Sequence, residues 1–377
     1  MTDPDFLIIG GGIAGIAAAY ELASVARVRV LEQEARLGYH ASGRSAALWS
    51  TAFGNDTVQL LTRASGPFFR NPPSGFAEHP LIRPRGTLFI ANEAQIAALE
   101  AAFAALIHGG TRAERVDARS ARERVPALRE EYVAAAIHEA DSQDIDTDLL
   151  LQAYARGLKA RGGEIVRASA VTSLRYEHGV WRAECDAGRH TARVVVNAAG
   201  AWADQVAALA SAAPLGLVPM RRTAVIFAPA PHTDSGDWPA VGDIGEQFYF
   251  KPDAGRLFAS PADETPSVPC DAAPEEWDVA LTVERVQRAT DLTVPRIEHR
   301  FAGLRTFAAD RSPVIGYDPE MPGFFWLAGQ GGYGLQTAPA AARAAAALAT
   351  RQSWPADLTE LRLSPEALSP ARLRPGH

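Results

Sequence analysis

The chain has 377 residues, which exceeds the size at which one hydrophobic core usually divides, so we expect two domains. Its formal net charge of −7 argues against a nucleic-acid-binding surface and favours small-molecule or protein partners. Cys185 and Cys270 are too few for a disulfide framework or a thiolate zinc site, so we expect no metal and a reducing, cytoplasmic location. We also expect no signal peptide and no transmembrane segment, because no cationic region precedes the first apolar run and the longest run, residues 344–349, is short.

A strand, a glycine turn and a helix are predicted at the start of the chain. The apolar residues 6–9 precede Gly10, Gly12 and Gly15, which fit G-x-G-x-x-G, and residues 13–23 have the composition of an alanine-rich helix. These glycines permit, in order, a tight turn, close approach of the backbone to a pyrophosphate, and close packing of helix on strand. A second strand then ends at Glu32, where an adenosine ribose would be held. The unit predicts an adenine dinucleotide, and the acid favours FAD or NAD over NADP.

Periodic segments continue along the chain. Helical periodicity marks residues 58–69, 93–107, 147–159 and 274–290. Strand patterns mark residues 164–167, 171–176, 181–185, 191–197, 222–227, 247–251, 256–259 and 297–307. Residues 324–328 and 333–350 read as a returning strand and a final helix. The tail after Trp354, with four prolines, is predicted to be an extended strap on the surface.

These patterns predict an α/β protein whose first domain is Rossmann-like and whose second, α+β domain, with a mixed sheet, is inserted into the first. We expect the dinucleotide-binding domain to comprise residues 1–80, 142–214 and 302–377. The substrate domain then comprises residues 81–141 and 215–301.

A second glycine motif, Gly329-Gln330-Gly331-Gly332-Tyr333-Gly334, precedes the final helix. No strand ending in an acid follows it, so we reject a second dinucleotide site. The turn is suited to aiming the helix N-terminus at a reduced flavin, and the alternative is a turn made for packing. Residues 198–201 similarly follow a buried strand with small side chains that let the backbone approach a cofactor.

Two arginines lie beside apolar strand patterns of the inserted domain, Arg222 and Arg305. An arginine in this context needs an anion, and two guanidinium groups can clamp a carboxylate; the alternative is a salt bridge within the protein. Tyr249 has the alternation of a sheet residue and is either a carboxylate-binding hydroxyl or a core tyrosine. Arg44, in a loop of small residues over 39–47, either lines the pyrophosphate or flavin or lies on a solvated surface.

Together these residues resemble the D-amino acid oxidase and dehydrogenase superfamily of FAD proteins, and most closely its D-arginine dehydrogenases. The resemblance covers nearly the whole chain and is carried by residues 38–40, 43–47, 71–73, 144–148, 197–202, 251–255, 303–305 and 330–334. It implies a glutathione-reductase-type FAD-binding domain with a mixed-sheet substrate domain over the flavin. It also implies that Arg222, Arg305 and Tyr249 hold a substrate carboxylate and that Gly332 offers its carbonyl to the substrate amine.

Noncovalently bound FAD is the expected cofactor. The residues expected to contact it are Gly10, Gly12, Ile13, Ala14, Gly15, Glu32, Gln33, Arg44, Ser45, Ala46, Ala47, Val171, Ala199, Gly200, Trp202, Arg305, Gly331, Gly332, Tyr333 and Gly334. The electron acceptor, oxygen or a quinone, is left open.

The chain departs from its cationic-substrate relatives at the side-chain end of the site. Thr87 stands where those relatives have a glutamate, and Phe53 and Leu48 stand where they have a tyrosine and a histidine. The carboxylate-binding end is kept while the side-chain end is uncharged and apolar. Arginine and lysine are therefore disfavoured as substrates.

The sequence thus predicts FAD-dependent oxidative deamination of a D-amino acid with a neutral or apolar side chain. The α-hydrogen would leave as hydride to flavin N5, and the imine would hydrolyse to a 2-oxo acid and ammonia. One alternative is the same fold oxidising a secondary amine or a 2-hydroxy acid. A second is a flavin-binding protein with lost or specialised biosynthetic activity, and a dehydrogenase that uses NAD alone comes last.

Overall fold

The computed structural model describes residues 3–230 and 233–374. The strands in chain order are β1 (Phe6–Ile9), β2 (Val28–Leu31), β3 (Leu48–Trp49), β4 (Ile82–Pro84), β5 (Thr87–Ala91), β6 (Glu114–Asp117), β7 (Ala135–Glu139), β8 (Gln143–Ile145), β9 (Glu164–Val166), β10 (Val171–Glu177), β11 (Val180–Cys185), β12 (Gly188–Ala192), β13 (Val194–Asn197), β14 (Val218–Phe227), β15 (Ala240–Asp243), β16 (Tyr249–Asp253), β17 (Arg256–Ser260), β18 (Thr265–Pro266), β19 (His299–Phe307), β20 (Val314–Tyr317) and β21 (Phe324–Ala328). The α-helices are α1 (Ile13–Leu22), α2 (Asp56–Arg70), α3 (Ile96–His108), α4 (Ala118–Arg124), α5 (Thr147–Ala160), α6 (Ala203–Leu209), α7 (Glu276–Ala289), α8 (Gly334–Thr350) and α9 (Ala356–Glu360).

The first sheet has the strand order β20-β21-β13-β1-β2-β9, in which β20 pairs antiparallel and the other pairs are parallel. Both faces are covered, which explains why β1 and β21 are continuously apolar. Helices α1, α5 and α8 share one core with β1 and β2, and the small sheet β10-β11-β12 packs with the opposite face. This is the predicted Rossmann-like domain, and its fold class is confirmed.

The second sheet is larger and mixed. Its path is β18-β14-β17-β16-β15-β5-β7-β6, with β19 along the other edge of β14, and its β15–β5 pair is parallel. Helix α7 covers one face with an apolar core that includes Val225, Phe250 and Val286. The strands come from two stretches of chain that alternate with those of the first sheet. The predicted inserted mixed sheet is therefore confirmed, while β19 (His299–Phe307) spans the predicted segment boundary at 301/302.

Two local predictions differ from the structure. Residues 191–197 form the end of β12 and all of β13, which belong to different sheets and are separated by Arg193. The prediction of an extended strap after Trp354 is wrong, because this segment forms α9 and two 3-10 turns. Two of its leucines, Leu358 and Leu368, are fully buried. Apolar spacing outweighed the prolines: Pro365 and Pro370 are tolerated because each lies at the first position of a 3-10 turn, and Pro355 precedes α9 as its N-cap.

Candidate active site

A deep cavity extends from the glycine turn after β1 to the glycine turn before α8. Residues of β14 and β19 in the second sheet form part of its wall. The predicted cofactor contacts that line it are Gly10, Gly12, Ile13, Ala14, Glu32, Gln33, Arg44, Ser45, Val171, Ala199, Gly200, Trp202, Arg305, Gly331, Gly332 and Gly334. Four predicted contacts are not in this lining: Gly15, Ala46, Ala47 and Tyr333. Ala46 and Ala47 line a second, open cavity, and Gly15 is buried against the backbone of Gly10.

The first glycine turn is shaped for close approach. Gly10 has φ +111°, and a Cβ there would lie 2.3 Å from the carbonyl oxygen of Ala198. A Cβ on Gly12 would meet only the hydroxyl of Ser42, at 3.3 Å, so this backbone faces open space. Helix α1 begins here without a cap from its preceding residue Gly12, and although Ser42 accepts the Ile13 N–H, the positive dipole end of the helix lies at the cavity wall. An anion such as a pyrophosphate fits this position.

Glu32 lies at the far side of the same turn. Its Oε2 accepts the Gly11 N–H at 2.5 Å and its Oε1 accepts the Glu34 N–H at 2.7 Å. Burial raises the pKa of Glu32, although these two backbone hydrogen bonds oppose the shift. Each oxygen has a second lone pair free, and Glu32 lines the cavity. The carboxylate is therefore held ready to accept two further donors, such as ribose hydroxyls.

The second glycine turn serves packing and the cavity together. Gly331 has φ +55°, donates its N–H to Thr306 at 2.8 Å, and would place a Cβ 2.3 Å from the ring of Phe307. A Cβ on Gly332 would lie 2.8 Å from the guanidinium of Arg305. Helix α8 starts at Gly334 without a side-chain cap, beside the cavity. These contacts support the packing interpretation of the turn, and the role of α8 toward a flavin stays a prediction.

The predicted carboxylate-binding residues converge on one face of the second sheet. Arg222 pairs with Gly303, and Met220 pairs with Arg305, so both guanidinium groups project from the same face. Arg305 Nη2 donates to Tyr249 Oη at 3.4 Å, and the guanidinium carbon of Arg222 lies 5.9 Å from the centre of the Tyr249 ring. Residues far apart in sequence therefore form one cationic cluster at the end of the cavity.

The two arginines differ in their partners. Arg222 donates to the carbonyl of Asp263 at 2.6 Å and to Glu264 at 3.1 Å, and Glu264 also accepts from Arg311 at 2.9 Å. The protein salt bridge that the sequence left as an alternative is therefore present for Arg222. Within residues 3–230 and 233–374, by contrast, Arg305 has no carboxylate at salt-bridge distance.

Electrostatics follow from this asymmetry. Burial, and next the positive charge of Arg222, lower the pKa of Arg305. Burial disfavours the phenolate of Tyr249, but the charges of Arg305 and Arg222 outweigh it and lower the pKa of the tyrosine. A partly buried cation beside a hydroxyl, with no carboxylate at salt-bridge distance in the described chain, can pair with an external carboxylate.

Of the residues predicted for the substrate side chain, Thr87 and Phe53 lie further along the same sheet face, whereas Leu48 lies in the separate sheet β3-β8-β4. Thr87 is buried, and its hydroxyl contacts that of Ser142 at 2.7 Å. Phe53 packs edge-on against Phe89 with ring centres 5.6 Å apart, and Leu48 belongs to the short strand β3. Phe89 and Tyr249 both pair with Gly242, so they occupy one row across the sheet. The structure thus connects this end to the arginine cluster through the sheet rather than through the main cavity, which Thr87, Phe53, Leu48 and Tyr249 do not line.

Arg44 joins the loop after the first unit to the second sheet. It donates to the carbonyls of Ala272 and Ala302 at 3.0 and 2.9 Å and pairs with Asp271 at 2.5 Å. The side chain is only 14% exposed, and the solvated-loop alternative does not describe it. Arg44 therefore holds the two parts of the structure together at the wall of the cavity.

Sequence reasoning missed several residues of the site. Ser42 caps the N–H of Ile13 at 2.9 Å, and Glu264 pairs with Arg222. Glu139 lies directly across from Thr87 on β7 and is fully buried. The only available signal for Glu139 was an acid at the end of the apolar strand Ala135–Glu139, which does not reveal its cross-strand neighbour.

The part of the chain that the structure describes has neither a helix that could span a membrane nor a side-chain cluster suited to a metal ion. None of its helices combines the length and the apolar character needed to cross a bilayer. Residues 3–230 and 233–374 contain no group of three or more histidine, cysteine, aspartate and glutamate residues suited to a metal ion.

Comparisons with known proteins bear on the family and the fold. The family described as DAO, FAD dependent oxidoreductase, matches residues 5–348. The chain is 25% identical over 395 residues to FAD-dependent oxidoreductase domain-containing protein 1 of Bos taurus, covering 91% of this chain and 80% of that protein. Its fold is similar to that of glycine oxidase from Geobacillus kaustophilus, with a TM-score of 0.82, 22% identity and coverage of 97% of this chain and 99% of that one. It is also similar to L-proline dehydrogenase from P. horikoshii, with a TM-score of 0.84, 21% identity and coverage of 98% and 97%.

Proposed function

The chain belongs to the DAO family of FAD-dependent oxidoreductases, and on that premise we propose that it oxidatively deaminates a D-amino acid with a neutral or apolar side chain. The observation that carries the proposal is Arg305, a partly buried cation beside the Tyr249 hydroxyl with no carboxylate at salt-bridge distance among the described residues. Such a charge is stabilised when a substrate supplies the missing anion. The products would be a 2-oxo acid and ammonia.

The residues present fit FAD. Glu32 would accept the ribose hydroxyls, the start of α1 would bind the pyrophosphate, and the start of α8 would face the electron-rich ring. When bound, FAD supplies the two-electron oxidation of the substrate carbon. Cys270 lines the cavity as a free thiol, and Cys185 does not. We propose that the cofactor is held without a covalent bond.

The arginine cluster would bind and orient the substrate carboxylate. Arg305 offers a forked donor and Tyr249 a hydroxyl, while Arg222 adds positive charge that Glu264 partly neutralises. Gly332 lies against the Arg305 guanidinium, so its backbone would be next to a carboxylate bound there and within reach of the neighbouring amine. Holding carboxylate and amine at two points would fix which face of the α-carbon meets the cofactor.

The substrate amine would react in its neutral form. Among the described residues that line the cavity, Glu32 is the one carboxylate and it lies at the ribose end. His40 also lines the cavity, but its Nε2 contacts Glu34 at 2.9 Å and its ring packs 4.6 Å from that of Trp202. Neither group is placed beside the arginine cluster, so we assign the proton to solvent rather than to a protein base.

The side-chain end favours an apolar group. Thr87, Phe53 and Leu48 bring no charge there, and the nearby Glu139 is turned to Ser50 and Thr51. Burying an unpaired charge costs several kcal/mol, whereas each buried methylene gains about 0.8 kcal/mol. A cationic side chain would therefore bind more weakly than an apolar one of similar size.

A second candidate uses the same carboxylate site. A secondary amine or a 2-hydroxy acid presents the same carboxylate next to the reacting carbon, and the similar fold of L-proline dehydrogenase belongs to a protein named for a secondary amine. A protein with lost or specialised activity is the third. We place the reaction in the cytoplasm, with oxygen or a quinone as acceptor.

The test is anaerobic reduction of the FAD-loaded protein, followed by loss of flavin absorbance near its visible maximum. The panel contains D-amino acids, their L-enantiomers, L-proline, sarcosine and 2-hydroxy acids. Fast bleaching by apolar D-amino acids supports the proposal. Bleaching by proline, sarcosine or a hydroxy acid alone would select the second candidate, and no bleaching by any compound would select the third.

A further inference from the structure

Glu139 is a buried carboxylate that the proposed reaction does not use. It ends strand β7, directly opposite Thr87, and its side chain is fully excluded from solvent. Ser50 Oγ donates to its Oε2 at 2.5 Å, the Thr51 N–H donates to its Oε1 at 3.2 Å, and the Thr51 hydroxyl contacts the same oxygen at 3.4 Å. All of these donors belong to one loop.

That loop, residues 48–54, carries Leu48 and Phe53. Its start is tied into β3, and Thr51 also exchanges hydrogen bonds with Thr111, whose hydroxyl lies 3.1 Å from that of Thr51. Directly after the loop, Asn55 donates to the carbonyl of Asp310 at 3.1 Å. Among the described residues, Glu139 is the only charged residue that forms hydrogen bonds with Ser50 and Thr51 of this loop.

No cation neutralises this carboxylate. In the described part of the chain, Glu139 forms no salt bridge, and the nearby charged group is Asp141, whose negative charge opposes ionisation. Thr87, on the opposite strand, forms a hydrogen bond with Ser142 and carries no charge. His138, which precedes Glu139 on β7, pairs with Glu114 and not with Glu139. The carboxylate is therefore stabilised by neutral hydrogen-bond donors of the loop, and the same hydrogen bonds hold the loop in place.

We propose that Glu139 is the positioning residue of loop 48–54 and that, through Ser50 and Thr51, it sets where Leu48 and Phe53 lie at the substrate side-chain end. The role at the substrate rests on the proposed function. The hold on the loop does not, since it follows from contacts within the protein.

The proposal has a pH signature. Burial raises the pKa of Glu139 to about 6 from 4.5, against the opposing hydrogen bonds from Ser50 and Thr51. Opening the loop would expose the carboxylate and return its pKa toward 4.5, so the closed loop binds the proton more tightly. The closed loop is thus most stable below the lower pKa, and this advantage is lost as pH rises through 6. The opening equilibrium then rises by up to about 30-fold, of which about eightfold falls between pH 5 and pH 8.

Hydrogen–deuterium exchange on the FAD-loaded protein tests this without any substrate. The probe is the peptide that covers residues 48–54, whose protection is corrected for the intrinsic pH dependence of exchange. The parent should lose about eightfold in protection between pH 5 and pH 8. Glu139→Gln resembles the neutral acid and should keep high protection without a pH step. Glu139→Ala removes the acceptors and should lower protection at every pH by about 10- to 100-fold.

Asp141→Asn is the matched control, because it removes an exposed acid two residues away that does not touch the loop. It should keep the pH step, moved slightly to lower pH. With the fastest substrate of the anaerobic panel, Glu139→Ala should raise KM by about tenfold while kcat stays within about twofold, and Glu139→Gln should restore KM.

The outcomes separate the two claims. Unchanged protection of residues 48–54 in Glu139→Ala, or a pH step that persists in Glu139→Gln, overturns the proposal. If the exchange results are as expected but no D-amino acid bleaches the flavin, the proposed function fails while the hold of Glu139 on the loop stands.

Discussion

Replacing Arg305 and Arg222 separately by methionine should have unequal consequences. Arg305 is partly buried and has no carboxylate at salt-bridge distance in the described chain, whereas Arg222 already shares Glu264 with Arg311. Arg305→Met removes the one unpaired charge available to a substrate carboxylate. Losing one partner of a desolvated charge pair costs about 2–5 kcal/mol, which corresponds to roughly 30- to 5000-fold in affinity. Arg222→Met should fall near the lower end of that range.

Arg305→Met should weaken substrate binding without lowering the stability of the free protein. The guanidinium of Arg305 is desolvated and lies near a second cation, so methionine relieves an unfavourable burial in the free protein. We expect the Tm of Arg305→Met to equal or exceed that of the parent. The phenol of Tyr249 would also lose the charge that lowers its pKa, so burial should raise that pKa in the variant.

Anaerobic stopped-flow measurement of the reductive half-reaction gives the substrate Kd and the limiting rate separately. Flavin absorbance before mixing controls for cofactor loss, and ultraviolet titration reports on Tyr249. Equal substrate Kd values for the parent and Arg305→Met, with FAD bound in both, would refute the reasoning. A larger effect at Arg222 than at Arg305 would refute the asymmetry between them.

Further predictions follow from the same contacts. Thr87→Glu should shift the substrate preference toward D-arginine or D-lysine only weakly. The reason is that the new carboxylate would face Glu139 across the strand pair, at about 5 Å between Cβ atoms. Thr87→Glu combined with Glu139→Gln should shift the preference further, and ratios of flavin-reduction rates measure both shifts. Glu32→Ala should weaken FAD retention by roughly 1.5–3 kcal/mol, measured by ultrafiltration, and unchanged retention would move the ribose contact elsewhere. Acid precipitation should release all the flavin, and Cys270→Ser should behave identically; yellow colour left in the pellet of the parent but not of the variant would reveal a covalent bond at that thiol.

Local patterns were enough to predict the cofactor half of the site. The turn after β1 needs glycine for reasons that act within a few residues and one neighbouring strand, and Glu32 follows from the length of a βαβ unit. The second glycine turn was likewise visible from its composition. The strand Phe324–Ala328 matched its prediction, because a short apolar run between turns has few alternatives.

Charge partners across the second sheet could not be predicted. Arg222 and Arg305 have similar sequence surroundings, and only the pairing of β14 with β19 and the loop after β17 shows that one is neutralised and the other is not. Glu139 was missed for the same reason, since cross-strand register decides its neighbour. The tail after Trp354 was mispredicted because proline content was weighed above the spacing of its buried leucines.

The most direct test of the central claim compares the anaerobic flavin-reduction efficiency of D-leucine with that of D-arginine at equal concentration, with L-leucine as the control for stereochemistry. We predict that D-leucine is faster by at least about 100-fold, since an unpaired buried charge costs several kcal/mol, and that L-leucine is inactive. Faster reduction by D-arginine, or equal reduction by D- and L-leucine, would contradict the account.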